Sequence, residues 1–377
     1  MSIRLIDVKT LRLKSFNSQK APPYAILSHT WVEDEEVSFQ EMCEIADNLS
    51  HPATTRSGYR KIEETCHQAT KHGLEYVWVD TCCIDKSSSA ELSEAINSMF
   101  RWYRDAAVCF AYLSDYSFPG SGNAWNRKME ECKWFTRGWC LQELIAPKQL
   151  IFYDKDWKES GSKSELNKVI ARVTRIDHSV LRDHKAMYLL PVARRMSWAS
   201  SRITTRVEDN AYCLLGIFDI NMPMLYGEGD KAFIRLQEEI IRRFNDTSIF
   251  LFSPGTSSAS QCSSTPQAPR QYTESGINLL HEPPWDDSQL SAANYLEDLS
   301  SYQFCDMFAR SPADFHACGD VTHRDGSRAP FDRQDFSVTN RGVQLGKQLL
   351  WFDWGGGGST ALFGGLPSVA TNMAFFV

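Results

Sequence analysis

The sequence predicts an α/β protein, with a parallel sheet covered by helices on both faces. Three observations predict it. Short apolar runs of strand length occur at 24–31, 76–80, 108–113 and 149–153. Stretches with helical apolar spacing separate them, at 59–72, 89–103 and 135–146. Such alternation is the signature of a parallel sheet with crossover helices. The first two runs also end in polar or acidic residues, as buried strands do when they deliver side chains to the sheet's carboxyl edge.

The elements follow in order. Residues 10–16 alternate as a strand should, within an N-terminal β segment over 1–20. Pro22-Pro23 then break the chain. The run from Tyr24 to Trp31 opens a domain spanning 21–160. In the next helix Ile62, Cys66 and Ala69 share a face, and Gly73 stops it. The strand 76–80 ends in Asp80. The helix 89–103 carries a stripe of Leu92, Ile96, Met99, Phe100 and Tyr103. Pro147 closes the helix predicted over 135–146. Residues 161–252 read as a helical extension, with helices at 165–174, 192–200, 208–218 and 231–244 and a strand at 248–252. Residues 253–276, rich in Ser, Gln, Thr and Pro, read as a disordered linker. Residues 277–377 form a C-terminal region, with a hairpin at 336–343 turning on Asn340-Arg341-Gly342. The Gly-rich stretch 355–377 reads as unstructured or as a truncated end.

Composition narrows the function. The chain has 377 residues, 42% hydrophobic and 23% charged, which suffices for more than one core. A net charge of −7 argues against a nucleic-acid partner, which needs a basic face. The pairs Arg194-Arg195 and Arg242-Arg243 read as solvated helix faces. No apolar run reaches membrane-span length and no signal-peptide core is present, so a cytoplasmic protein without membrane contact is expected. The eleven cysteines are scattered without metal-like spacing, and read as reduced, mostly buried thiols with no metal.

Several motifs could carry chemistry. In Trp139-Cys140-Leu141-Gln142-Glu143-Leu144, Trp139 and Glu143 are four apart and share a helical face. A carboxylate beside an aromatic wall has the makings of a shifted pKa or a ligand contact. Asp80 and Asp85 are either two halves of a carboxylate pair or strand-end caps. His29, Trp31, Asp80 and Asp85 all fall at the sheet's carboxyl edge. Ser28 and His29 are strand neighbours, so they point to opposite faces and cannot simply pair. Cys140, on an apolar helix face, reads as a core thiol. The segment Gly227-Glu228-Gly229-Asp230-Lys231-Ala232 matches a phosphate-loop pattern but follows a helical stretch, so a turn with Asp230 capping the next helix fits better.

Four ordered blocks carry a resemblance. They are Tyr24-Ala25-Ile26-Leu27-Ser28-His29-Thr30-Trp31, Tyr76 to Asp85, Glu94 with Met99 and Tyr103, and Arg137 to Leu144. Together they resemble the fungal heterokaryon-incompatibility (HET) domain. The resemblance extends to Thr205-Arg206-Val207-Glu208-Asp209-Asn210-Ala211-Tyr212-Cys213-Leu214-Leu215-Gly216 and to Tyr226-Gly227-Glu228-Gly229, in the helical extension usual in that family. HET domains are in turn similar to Toll/interleukin-1-receptor (TIR) domains, which implies a TIR-like, flavodoxin-like sheet. The Trp139–Leu144 block is similar to the Trp-Cys-Leu-x-Glu-Leu of TIR enzymes whose Glu cleaves NAD+.

That resemblance implies two readings. In the first, Glu143 is the catalytic carboxylate of an NAD+ nucleosidase that needs no cofactor, NAD+ being its substrate. Trp31, Trp78 and Trp139 are then candidate ring walls, and Ser28, His29, Asp80 and Asp85 polar contacts. In the second, the domain is a non-catalytic module that self-associates or binds an incompatible partner and signals cell death. Glu143 is then a structural acid paired with Arg137 or a backbone amide.

Overall fold

The computed structural model describes residues 2–48, 50–118, 127–244, 246–252 and 308–323, with short strands at 337–339, 342–344, 352–354 and 360–361. The stretch 253–276 and most of the chain beyond it lie outside the described residues.

One seven-stranded sheet organises the N-terminal part. Its strands are β1 (Ser2–Asp7), β2 (Leu13–Asn17), β3 (Ala25–His29), β4 (Tyr76–Trp78), β5 (Val108–Tyr112), β6 (Leu150–Tyr153) and β7 (Glu159–Ser162). Their spatial order is β2-β1-β4-β3-β5-β6-β7. The four predicted strands are β3 to β6, and every pairing among them is parallel. Counted among themselves they run second, first, third, fourth, the doubly wound order. Antiparallel strands flank this core. The β1–β2 hairpin joins β4 on one side, and β7 joins β6 on the other. All five residues of β3 are buried, as the centre of such a sheet requires.

The helices of this part are α1 (Phe39–Asp47), α2 (Ser57–Lys71), α3 (Asp80–Cys83), α4 (Ser89–Asp105), α5 (Arg127–Glu130), α6 (Lys133–Thr136) and α7 (Cys140–Ile145). A capping box of Ser38 and Glu41 starts α1. The predicted stripe of α2 (Ile62, Cys66, Ala69) is buried, and Gly73 takes a φ of +71° just past its end. In α4 the buried stripe is Ile96, Met99, Phe100 and Tyr103, with Leu92 partly buried beside it.

Three predicted elements differ. The single helix expected over 135–146 is broken into α6 and α7. The break falls at Arg137-Gly138, because the extension takes their backbone groups. Gly138 N–H donates to Ile203 O at 3.0 Å and Ile203 N–H to Thr136 O at 2.6 Å. A Cβ on Gly138 would lie 2.5 Å from Thr204 Cγ2, so only glycine allows this approach. The strand expected at 248–252 is instead a short helical turn over Thr247–Phe250. Asp246 accepts from Ser248 N–H and from Val192 N–H, and Ser248 Oγ accepts from Ala193 N–H, which ties the turn down.

The extension is helical: α8 (Asn167–Thr174), α9 (His178–Arg182), α10 (Val192–Ser197), α11 (Asp209–Tyr212), α12 (Leu215–Phe218) and α13 (Lys231–Arg243). The helix predicted over 208–218 is two short ones. It packs on α4 so closely that a Cβ on Gly216 would lie 2.1 Å from Phe100 Cβ. Arg195 is not on a solvated face. It is 3% exposed, stacks on Phe218 and donates to Ile217 O. Arg194 pairs with Asp177 and Arg242 with Glu238 and Glu239. Ser337–Thr339 and Gly342–Gln344 pair antiparallel, as the predicted hairpin requires.

Among the described residues no helix is long and apolar enough to cross a membrane, and no cluster of His, Cys, Asp and Glu could hold a metal. The nine described cysteines are free, and all but Cys43 are buried.

Candidate functional site

A cleft of about 260 Å³ opens at the carboxyl edge of the sheet, lined from β3, α3, α4, α7 and the extension. Ligands bind at this edge in doubly wound folds. A larger cleft of about 780 Å³ lies at the other edge, between Pro22-Pro23 and Asp105. Its ionisable groups are Tyr24, Arg101 and Asp105, and the Tyr24 hydroxyl donates to Trp102 O, so it offers little chemistry.

Five sequence-predicted residues meet in the first cleft: His29, Trp31, Asp80, Trp139 and Glu143. Glu143 is 6% exposed, on the face of α7 turned toward β3. Its Oε2 accepts from Ser28 Oγ, which in turn accepts from Trp134 Nε1 at 2.7 Å. Burial pushes the Glu143 carboxyl up to about 8, and the Ser28 hydrogen bond only partly opposes it. Asp80 adds to the rise by charge repulsion. Arg137 does not neutralise Glu143; it turns outward and donates to Thr205 Oγ1 at 2.9 Å. The pairing of Glu143 with Arg137 expected under the structural reading is therefore replaced by the Ser28 contact.

Asp80 has the opposite character. Burial favours its protonated form, but Lys86, His29 and Trp31 outweigh burial and hold it down to about 2. His29 Nε2 lies 2.9 Å from Asp80 Oδ1, and Trp31 Nε1 donates to Oδ2 at 3.0 Å. Lys61, 5% exposed on α2 and paired with Glu36, sits 3.0 Å from His29 Nδ1. An ammonium can only donate, so Nδ1 accepts and the ring carries its proton on Nε2 toward Asp80. Two carboxyls with opposed environments thus share one cleft, a pattern that separates an ionised group from a protonated one.

The remaining predicted residues fall elsewhere. Ser28 is fully buried behind Glu143 and supports it rather than lining the cleft. As β3 pleating requires, Ser28 and His29 serve opposite sides. Asp85 lies outside the cleft. It accepts from Gln40 and Ser87, so it caps a turn and forms no pair with Asp80. Trp78 is fully buried against Trp102 and Tyr103, and is core rather than a ring wall. Cys140 is the core thiol expected, pushed up by burial.

The extension supplies what sequence reasoning did not assign to the site. Thr205, Arg206, Asp209 and Tyr226 complete the cleft, together with Lys86. Arg206 stacks on Tyr226, and Tyr226 OH donates to Asp209 Oδ1 at 3.0 Å. The 205–216 and 226–229 blocks were visible as motifs, but nothing local tied them to Trp139, some 66 residues before Thr205. The glycine motif is a turn. Gly227 and Gly229 have φ of +104° and +62°, and their N–H groups converge on Glu208 Oε1 at 2.7 and 3.1 Å. The protein's own carboxylate therefore occupies the anion nest a phosphate would need. Asp230 makes no side-chain cap on α13.

Comparisons with known proteins agree with the resemblance to HET domains. Residues 24–119 match the family model described as heterokaryon incompatibility protein (HET). Residues 231–340 match one described as a domain of unknown function (DUF8212). Over 233 residues the chain is 48% identical to the vegetative incompatibility protein HET-E-1 of Podospora anserina, an alignment covering 60% of this chain. The chain spans only 17% of that relative's length. No solved structure matches the chain at a significant level.

Proposed function

Starting from a chain that carries a HET domain, we propose that it acts in heterokaryon incompatibility and that its cleft cleaves the nicotinamide–ribose bond of NAD+. One observation carries the catalytic part: Glu143, buried and raised to about 8, on the wall of a cleft at the sheet's carboxyl edge. The Trp139–Leu144 block, similar to that of NAD+-cleaving TIR enzymes, supports the same role.

The bond between ribose C1′ and the ring nitrogen breaks heterolytically. Its electron pair goes to the ring, so nicotinamide leaves neutral and needs no general acid. Positive charge remains on the ribosyl group, as in other glycosyl cleavages. Water then adds to C1′ and loses a proton. A cationic ring entering beside Glu143 favours its ionised form, the reverse of the burial effect. The resulting carboxylate holds ribose hydroxyls and stabilises the developing cation in a site shielded from water. Arg137 and Arg206 at the rim suit the diphosphate.

The test is nicotinamide release from NAD+ by concentrated purified protein, with Glu143→Gln beside it. Release that the variant loses supports the reading. No release, even after enforced oligomerisation, overturns it and leaves the domain as a self-associating interaction module.

A further inference from the structure

The wall of the cleft opposite Glu143 has a feature that cleavage chemistry alone does not require. Trp31 is an exposed tryptophan, 51% accessible, at the end of the central strand. Its indole N–H is fixed on Asp80 Oδ2, so a carboxylate stands at the ring's edge. Over the ring's face sits the Lys86 ammonium, 3.8 Å from the centroid. Lys86 also supplies the strongest charge acting on Asp80. A ring face with a carboxylate at its edge is what recognises a cation that is only weakly hydrated, as in the aromatic sites for quaternary ammonium groups.

We infer that Trp31 and Asp80 form a cation subsite, that Lys86 serves as its internal ligand, and that a ligand's positively charged ring displaces Lys86. This rests on the proposed function for the ligand's class, a ribonucleotide with a quaternary nitrogen base, but not for the subsite itself. His29 and Lys61 are the positioning residues. The Lys61–His29 contact directs the His29 proton to Asp80, which keeps the carboxylate ionised and aimed. Lys86 is exposed and has a flexible stem, so leaving the ring requires no change in the fold. The cost of displacing it lowers the affinity for any cationic ligand. Neutral ligands gain nothing from Asp80 and do not replace the lost contact. The subsite therefore discriminates by charge and is partly self-blocked.

The probes are ring-N-methylated nicotinamide, a cation, and nicotinamide, its neutral parent, with binding followed by NMR titration. The proteins are the full chain, Lys86→Met, and Lys86→Met with Trp31→Leu. Both positions are exposed, so all three should fold, which melting curves confirm. Methionine keeps the stem over the ring and removes the charge. Lys86→Met should bind the cation about fivefold more tightly, with neutral nicotinamide changed less than about twofold. Adding Trp31→Leu should abolish the gain. Equal response of the two probes, or no gain in Lys86→Met, overturns the inference. The cationic probe has no glycosidic bond, so failure to cleave NAD+ does not affect this test. A lost cation preference likewise leaves the role of Glu143 to be judged by nicotinamide release.

Discussion

Replacing Glu143 by glutamine should stabilise the protein at neutral pH while abolishing cleavage. The carboxyl lies near 4.5 when unfolded and is raised to about 8 in the fold. Below 4.5 both states hold the proton, and the favourable contribution of the neutral carboxyl is fully present. As pH rises toward 8 the unfolded chain releases its proton first, so the folded state loses stability by about 1.4 kcal/mol per pH unit. At pH 7, some 2.5 units above the unfolded value, the loss reaches about 3 kcal/mol. Glutamine keeps the acceptor for Ser28 but cannot ionise, so it escapes this loss. Up to about 3 kcal/mol of stabilisation at pH 7 is expected, less whatever its extra N–H costs where it lacks an acceptor. Urea denaturation from about pH 5 to 9 measures it, since subtracting wild type from variant cancels groups common to both. The difference should grow up to about pH 8 and then level off. In the same preparation NAD+ cleavage should fall by about 10²-fold or more. A difference flat across this range refutes the burial argument. Activity retained in the folded variant refutes the catalytic one.

Three further outcomes follow from the same geometry. Ser28→Ala removes the hydrogen bond that partly opposes the rise at Glu143, so the acid limb of the pH–activity profile, expected near 8 in the wild type, should move to higher pH. An unmoved limb means that Glu143 does not set the profile. Gly138→Ala places a methyl 2.5 Å from Thr204 Cγ2 and 3.3 Å from Cys213 Sγ, and should cost about 1 to 3 kcal/mol in thermal or urea unfolding. Glu208→Ala leaves the Gly227 and Gly229 N–H groups without their carboxylate and should cost about 1 to 3 kcal/mol. It should also weaken NAD+ binding through Tyr226, measured by calorimetry, and unchanged binding would detach that loop from the site.

The parallel core was legible because burial on both faces demands continuous apolar runs. Tyr24 to Leu27, Tyr76 to Val79 and Val108 to Leu113 meet that demand without help from distant residues. Helix α2 was legible for the same reason, with an apolar face of period near four and a glycine beyond its end. What failed depended on partners far along the chain. Arg137 and Gly138 carry a helical pattern, but Ile203 captures their backbone and splits the helix. The turn at Thr247–Phe250 has strand-like residues, but Asp246 and Ser248 cap Val192 and Ala193 across some 54 residues. Local propensity cannot register a hydrogen bond made at that distance.

The site divides along the same line. His29, Trp31 and Asp80 were legible because they end strands or follow them, and the sheet's geometry gathers such residues at one edge. Glu143 was legible from its motif, but its ionisation state was not. On α7 alone it would be a carboxylate free to ionise. Its proton is retained because burial disfavours the charged form, against the hydrogen bonds of Ser28 and Tyr103, and because Asp80 across the cleft is already charged. Asp85 drops out for a different reason. It follows α3, where Gln40 and Ser87 hold it outside the cleft, and no pattern of acids along the sequence separates it from Asp80. Asp80 differs in that Lys86, His29 and Trp31 surround its carboxylate, with Lys61 on α2 orienting the buried His29 ring of β3. A carboxylate so secured costs the fold a buried ammonium and a buried imidazole, which hydrophobic residues could replace at little loss of stability. The His29 hydrogen bond, together with Lys86 and Trp31, holds the charge at Asp80 on which the proposed cation subsite depends.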